Sequence, residues 1–352
     1  MNKENIKMDI IKLIWAYCIA LYHAQIFYPS NHFISGHFAV NYFFVISGFF
    51  MCKKFYESKD IEPRKYLSKR FIPMIPWVMI SGCIILVEQL VFSDNKREVI
   101  YNAFLSIWEV LLVRMGGLSS GMNGLYTPAW YLSSLFLATI FLIPYIRLVH
   151  TKHSYMTILV VVLGLGYINH VQGSLSGDIY YYCGFMYMAV FKAIIEMMLG
   201  FLAFDFALIL RNKEITPNSY LQVLLVILEV LGYTISIVYL YFAHNRLEFE
   251  TFMIFIIAFT LSITFSKRKL IGRTLESKIN GNYIRKLSFG IYMTHAIIVN
   301  YFMYYVDYIQ ETYEYLQFIL LYVLIITAVG VLATYILEKI NNIIIFKVLE
   351  EK

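Results

Sequence analysis

Asp9, Lys12 and His23 punctuate an otherwise almost wholly apolar run near the start of the chain. An ionisable side chain inside a bilayer is costly, so it is kept where it functions or where it is tightly paired. At about 100° per residue, the eleven positions from Lys12 to His23 make three turns plus ~20°, so both residues share one helix face. Their separation along the axis is about 16 Å, roughly half the hydrocarbon thickness. Asp9 precedes Lys12 by three residues, close enough to pair with it and orient it. Ala16 and Ile19 continue the stripe, with Ala20 beside it, and these small side chains leave room for an elongated ligand. A cation near one surface and a titratable base deep in the membrane point to chemistry conducted across a bilayer. A second reading stands beside this one. Lys12 then snorkels to the inner interface, and His23 joins an aromatic belt with Tyr22, Phe27 and Tyr28.

Other polar residues recur in apolar surroundings. Ser288, Tyr292 and His295 are spaced i, i+4 and i+7, which is one helix face. His295 then lies about two turns, roughly 10 Å, inside its span. Lys69 and Arg70 meet the start of a span that opens Phe71-Ile72-Pro73-Met74-Ile75-Pro76. Such a pair suits a phosphate-bearing anionic donor, and equally the ordinary excess of cations on cytoplasmic loops. Asn41 and Gly48 share a face of the Asn41–Phe49 segment, where Ser47 and Gly48 fit close helix packing. Trp130 and Tyr131 suit an interfacial belt or a sugar-stacking platform. Lys192 and Glu196 form an i, i+4 pair, and Glu229 stands in mid-span.

The elements that must position these residues are membrane helices. The chain has 352 residues, 60% hydrophobic and 15% charged. A soluble domain is closer to half apolar and a quarter charged, so the fold class expected is an all-α polytopic membrane protein. The net charge of +6 calls for no nucleic-acid partner, because its cations cluster in short loops. Spans are expected at 8–28, 37–52, 71–92, 127–149, 154–170, 187–210, 219–242, 249–266, 287–308 and 316–337. Basic residues follow the second span (Lys53, Lys54, Lys59, Arg64, Lys65, Lys69, Arg70) and fill 267–286, and both stretches are expected inside. The parity holds only if the shorter run Val99–Val113, which contains Glu109, does not cross. A bundle of ten transmembrane helices with both termini cytoplasmic follows, with a re-entrant or surface helix near 99–113. The glycine-rich Gly116–Gly121 stretch reads as its flexible end. Residues 1–352 are expected to form one membrane-embedded domain, and no internal repeat of 20–50 residues is evident.

Cys18, Cys52, Cys83 and Cys183 lie in or at the ends of apolar segments without CxxC or Cys/His spacing. They are expected as packing residues, neither a disulfide framework nor a metal site. The basic N-terminus is followed by no small-residue cleavage pattern, so the first apolar run is expected as a retained span.

Read together, these motifs resemble the acyltransferase-3 family of bacterial multi-pass acyltransferases, most of which O-acetylate surface glycans. The family opens with an Asp, an Arg three residues on, and a His eleven residues later, matched here by Asp9, Lys12 and His23, with Lys in place of Arg. Its second-span signature matches Phe43-Phe44-Val45-Ile46-Ser47-Gly48-Phe49. Its Arg-x-x-Arg-aliphatic-x-Pro pattern matches at Arg70 and Pro76, with Pro73 in place of the second Arg. Trp130-Tyr131-Leu132 matches its Trp-aromatic-Leu pattern, with Leu135 where one branch has Glu. Ser288, Tyr292, Met293 and His295 match its late Ser-x-x-x-Tyr-aliphatic-x-His pattern. The resemblance covers residues 8 to about 340.

The resemblance implies a transferase moving an acyl group, most often acetyl, from cytosolic acyl-CoA to a hydroxyl of a cell-envelope polysaccharide or lipid-linked sugar. His23 and His295 are the catalytic candidates, with His23 as base or transient acyl carrier. Lys12, Arg70 and Lys69 would hold the CoA phosphates. Asp9, Asn41, Ser47, Trp130, Tyr131, Ser288 and Tyr292 would line the substrate site. Acetyl-CoA is expected as co-substrate, with no permanently bound cofactor and no metal. The expected partners are a glycan acceptor and membrane lipids, and the expected place is the bacterial plasma membrane. Some family members carry an esterase-like domain after the spans; this chain ends about fifteen residues past its last span, so such a partner is expected as a separate protein. Two other classes compete. One is a transporter or flippase for a lipid-linked glycan, using Lys192, Glu196 and Glu229 as coupling charges. The other is an inactive scaffold, which the Lys12 and Pro73 departures keep open.

Overall fold

A computed structural model describes residues 6–29, 35–58, 60–118, 124–212, 220–242, 249–266 and 281–350. Among them the chain is mainly helical, with no strand beyond an isolated bridge between Tyr182 and Tyr187. The helices are α1 (Ile6–Ala24), α2 (Gly36–Glu57), α3 (Pro63–Phe71), α4 (Ile75–Phe92), α5 (Lys96–Leu105), α6 (Ile107–Val110) and α7 (Ala129–Tyr145). They continue with α8 (Ser154–Gln172), α9 (Met188–Asn212), α10 (Tyr220–Phe242), α11 (Glu250–Phe265), α12 (Gly281–Met303), α13 (Val306–Thr312) and α14 (Tyr315–Glu350). A helix satisfies its own backbone polar groups, which is what a segment without water must do. Large apolar side chains stay exposed along these helices, among them Val87, Leu163, Phe252 and Leu320, as a lipid-facing surface requires.

Among the described residues, eight helices are long and apolar enough to cross a membrane. The other two expected spans, 249–266 and 287–308, coincide with α11, of 16 residues, and α12, of 23. The first is short. The second is long enough but carries Arg285, Lys286, His295 and Asn300. The third expected span is joined from two helices: Pro73 lies in a 3₁₀ turn, Ile72–Met74, and Pro76 opens α4. Proline is tolerated at those positions because no helical N–H is lost there.

The run expected as one helix near 99–113 is two short helices. Asn95 caps α5 through its side chain, which accepts from the Glu98 N–H. The helix breaks at Ser106, whose hydroxyl accepts from the Leu125 N–H at 2.9 Å. Ser119–Gly121 of the glycine-rich stretch lie outside the described residues, as do Lys3, Lys213 and the basic segment 267–280.

The chain divides into two compact units. The first comprises Met1–His32, Arg64–Phe136 and Lys278–Lys352. In it α1 packs on α12 and α12 on α14, around Ala16, Ala20, Phe27, Ile291, Phe318 and Tyr322. The alanines predicted as a small-residue stripe therefore become the seat for these larger side chains. Tyr322 donates from its hydroxyl to the Ala20 carbonyl at 3.1 Å.

The second unit comprises Phe33–Pro63 and Leu137–Ser277. Its centre is α2 against α9. A Cβ on Gly48 would fall on the Met197 backbone, and one on Gly200 on the backbone of Val45 and Phe49. Glycine at both positions lets the two main chains approach, which is the packing expected for Gly48. On α9, Lys192 lies 3.8 Å from Glu196 and donates to the Leu175 carbonyl, while Ser176 bonds Glu250.

Candidate active site

The register of α1 and α12 follows from their facing polar stripes. The Ser288 hydroxyl donates to the Lys12 carbonyl at 2.9 Å, so the two motifs are joined one residue to one residue. Three turns along α1 and two along α12, the rings of His23 and His295 come to 5.1 Å between centroids, tilted by 30°. The two histidines singled out from separate motifs thus form one pair.

His295 is buried, and its Nδ1 lies 2.5 Å from the Tyr292 carbonyl of its own helix. A carbonyl only accepts, so Nδ1 carries a proton, and in the neutral ring Nε2 keeps its lone pair. That tautomer is the one a general base needs. Tyr292 is fixed in turn, its hydroxyl donating to the Pro128 carbonyl at 3.1 Å. Tyr131, at the start of α7, meets Tyr292 edge to face at 5.5 Å, and Tyr292 lies 5.6 Å from His295. Four residues predicted from three motifs therefore make one continuous row of rings: Tyr131, Tyr292, His295, His23. Trp130 extends it, 6.3 Å from Tyr131 and perpendicular to it.

Toward the start of α1, Lys12 Nζ lies 3.9 Å from the Asp9 carboxylate, the pairing their i, i+3 spacing predicts. The lysine is partly exposed and the aspartate buried. A Cβ on Gly281 would sit 3.0 Å from the second Asp9 oxygen, so this carboxylate lies beside the first residue of α12. A negative charge at a helix N-terminus is stabilised by the helix dipole.

Lys69 and Arg70 ride on α3. Lys69 is exposed, whereas Arg70 donates to the Tyr66 hydroxyl at 2.8 Å and lies over the Phe71 ring at 5.5 Å. Asn41 and Ser47 belong to the second unit. Asn41 is fully buried, and neither end of its side-chain amide has a hydrogen-bond partner among the described residues. Such groups are rare in native proteins.

Four residues that support the row were not anticipated. Tyr126 donates from its hydroxyl to the Met293 carbonyl at 2.7 Å, beside the histidine turn of α12. Glu109 accepts from the Tyr126 N–H at 3.1 Å and pairs with Arg114 at 2.7 Å, both side chains buried. Burial raises the Glu109 carboxyl above its ordinary range, and the Arg114 guanidinium opposes that rise. Gly124 closes the turn over this carboxylate with φ +125°, where any Cβ would strike the Glu109 side chain. The only signal in the sequence was an acid in a run otherwise too apolar for one.

Residues 5–339 match the family model described as an acyltransferase domain, the third of that name. No curated protein and no solved structure matches the chain.

Proposed function

The chain belongs to the acyltransferase-3 family, and from that premise we propose that this multi-pass membrane acyltransferase moves an acetyl group from cytosolic acetyl-CoA to a hydroxyl of a cell-envelope glycan or lipid-linked sugar. The observation that carries this reading is the His23–His295 pair at the end of a row of aromatic rings, with Nδ1 of His295 turned to the Tyr292 carbonyl. An imidazole with a free lone pair takes the proton of the acceptor hydroxyl as its oxygen attacks the thioester carbonyl. The C–S bond breaks, and the departing CoA thiolate receives a proton. In an alternative order, an imidazole nitrogen attacks first and carries the acyl group, and the hydroxyl then attacks the acyl-imidazole. Rapid-quench trapping of a labelled, acid-sensitive acyl-protein separates the two.

In this proposal Lys12, with Arg70 and Lys69, meets the phosphates of the donor at the cytosolic face. The partly exposed Lys12 ammonium and the exposed Lys69 support that role. Trp130 and Tyr131 form a stacking surface for the sugar, and Ser288 and Tyr292 hold the helices that frame it. The proposed topology has ten spans and both termini cytoplasmic, with α11 and α12 crossing among the rest. It rests on the distribution of Lys and Arg. The bacterial plasma membrane is the proposed place.

The test is purified protein with labelled acetyl-CoA and a glycan acceptor, alongside the alkali-labile acetyl content of surface glycans with and without the gene. Acyl transfer that His23→Ala abolishes is expected. Movement of a lipid-linked glycan with no consumption of acetyl-CoA would instead assign a transporter working through Lys192, Glu196 and Glu229.

A further inference from the structure

The second unit carries a cluster that plays no part in the chemistry proposed above. Cys52 lies near the end of α2, His150 at the end of the turn that follows α7, and Asp205 on α9. Three helices from distant parts of the chain thus deliver one thiol, one imidazole and one carboxylate, and the chosen ligand atoms all lie within 4.8 Å of one another. Local backbone places the central member. Pro144 interrupts the hydrogen bonding of α7, and the next turn, Ile146–His150, widens into a π-helix whose last residue is the histidine. Cys52 and His150 are buried, and Asp205 is about a third exposed.

Which nitrogen faces which partner decides the chemistry. In a nucleophilic Cys–His–Asp triad, the thiol and the carboxylate would engage opposite nitrogens of the ring. Here Cys52 Sγ lies 3.5 Å and Asp205 Oδ2 3.4 Å from the same atom, Nε2. The other nitrogen, Nδ1, is engaged by the Thr157 hydroxyl at 2.8 Å, and Thr157 is in contact with the Tyr145 hydroxyl at 3.1 Å. Two soft or anionic donors converging on one imidazole nitrogen, with the opposite nitrogen oriented by a hydroxyl, is the pattern of a metal ligand set with its supporting shell.

The spacing also fits. Tetrahedral zinc with bonds of about 2.3 Å to sulfur and 2.0–2.2 Å to nitrogen and oxygen holds S and N about 3.6 Å apart, and N and O about 3.4 Å apart. The observed separations are within ~0.1 Å of both. A thiolate and a carboxylate carry two negative charges, so a divalent ion makes the filled centre neutral, which favours it in surroundings of low polarity.

We propose that Cys52, His150 and Asp205 form a zinc site that clips α2, α7 and α9 together, with water in the fourth position. On binding, the Cys52 thiol gives its proton to solvent and the thiolate takes the metal; no electron moves. The sequence concealed the site because the ligands are isolated residues, 98 and 55 positions apart.

The test uses tag-free, full-length protein in detergent. After equilibration with Zn²⁺ and desalting, elemental analysis is expected to find about one zinc per chain. Co²⁺ in its place is expected to give thiolate-to-cobalt absorption in the near ultraviolet. Cys52→Ser and His150→Gln should each lose the metal, and Thr157→Val, which keeps all three ligands, should weaken affinity about 10–100-fold. Wild-type protein that retains no zinc overturns the proposal, and so does zinc retained equally by the Cys52 and His150 variants. If those variants fail to fold, the cobalt spectrum of the wild type and the Thr157→Val affinity decide: an absent thiolate band, or unchanged affinity, overturns it.

Discussion

Two clusters in this molecule are centred on histidine, and they are built on opposite plans. In the first unit, two imidazoles lie side by side on α1 and α12, flanked by tyrosine rings, and the proton of His295 is held on Nδ1 by a backbone carbonyl. Among the described residues, it is the Tyr292 carbonyl and the rings of Tyr292 and His23 that orient it. In the second unit, a single imidazole is enclosed by a thiol, a carboxylate and a hydroxyl, all directed at its nitrogens. The residue type is the same. What differs is the surroundings: a backbone carbonyl and aromatic rings in one unit, a thiol, a carboxylate and a hydroxyl in the other.

The sharpest way to break the comparison is to remove the imidazoles of the first unit. His23→Ala and His295→Ala are each expected to lower acyl transfer about 10²–10⁴-fold, the usual worth of a positioned base. Labelled acetyl transfer reads this directly, and activity within a few-fold of wild type would strip the pair of its role. Next in size is the support beneath the row. Glu109→Ala leaves the buried Arg114 without its ion-pair partner and is expected to destabilise the fold by about 3–5 kcal/mol, measured by thermal or denaturant unfolding in detergent. Glu109→Gln, which keeps an acceptor for the Tyr126 N–H, should cost less.

In the second unit, Gly48→Ala is expected to cost about 1–3 kcal/mol, because its Cβ meets the Met197 backbone, which cannot move aside as a side chain would. A neutral result would mean α2 and α9 shift apart freely. The smallest effect is expected for Ser288→Ala, about 0.5–1.5 kcal/mol, since it removes one hydrogen bond between α12 and the Lys12 carbonyl. Its acyl-transfer rate tells whether that bond also sets the spacing of the two histidines.

Much of the first unit could be read in advance from periodicity. A stripe at helical spacing from Asp9 to His23, and another from Ser288 to His295, each named a face, and those faces meet. The run around 99–113, expected as one helix, is two short helices, of ten and four residues. The bond made at its break, between Ser106 and Leu125 nineteen residues away, could not be read. The same limit hid the thiol cluster. Cys52, expected as a packing residue, gains its polar neighbours only when three helices assemble, and no local pattern encodes that. The lesser apolarity of α12, which cost it a place among the eight clear spans, is the trace of the polar residues that make it the frame of the row.

The hydrogen bond between Ser288 and Lys12 joins residues 276 positions apart. At roughly 5–20 residues per second of synthesis, α1 waits about 14–55 s for α12 to be made. Through that interval Asp9, Lys12 and His23 have left the ribosome without the helix that receives them. Synthesis of α12 therefore closes the contact that α1 began, and assembly of the histidine pair waits until residue 295 has been made.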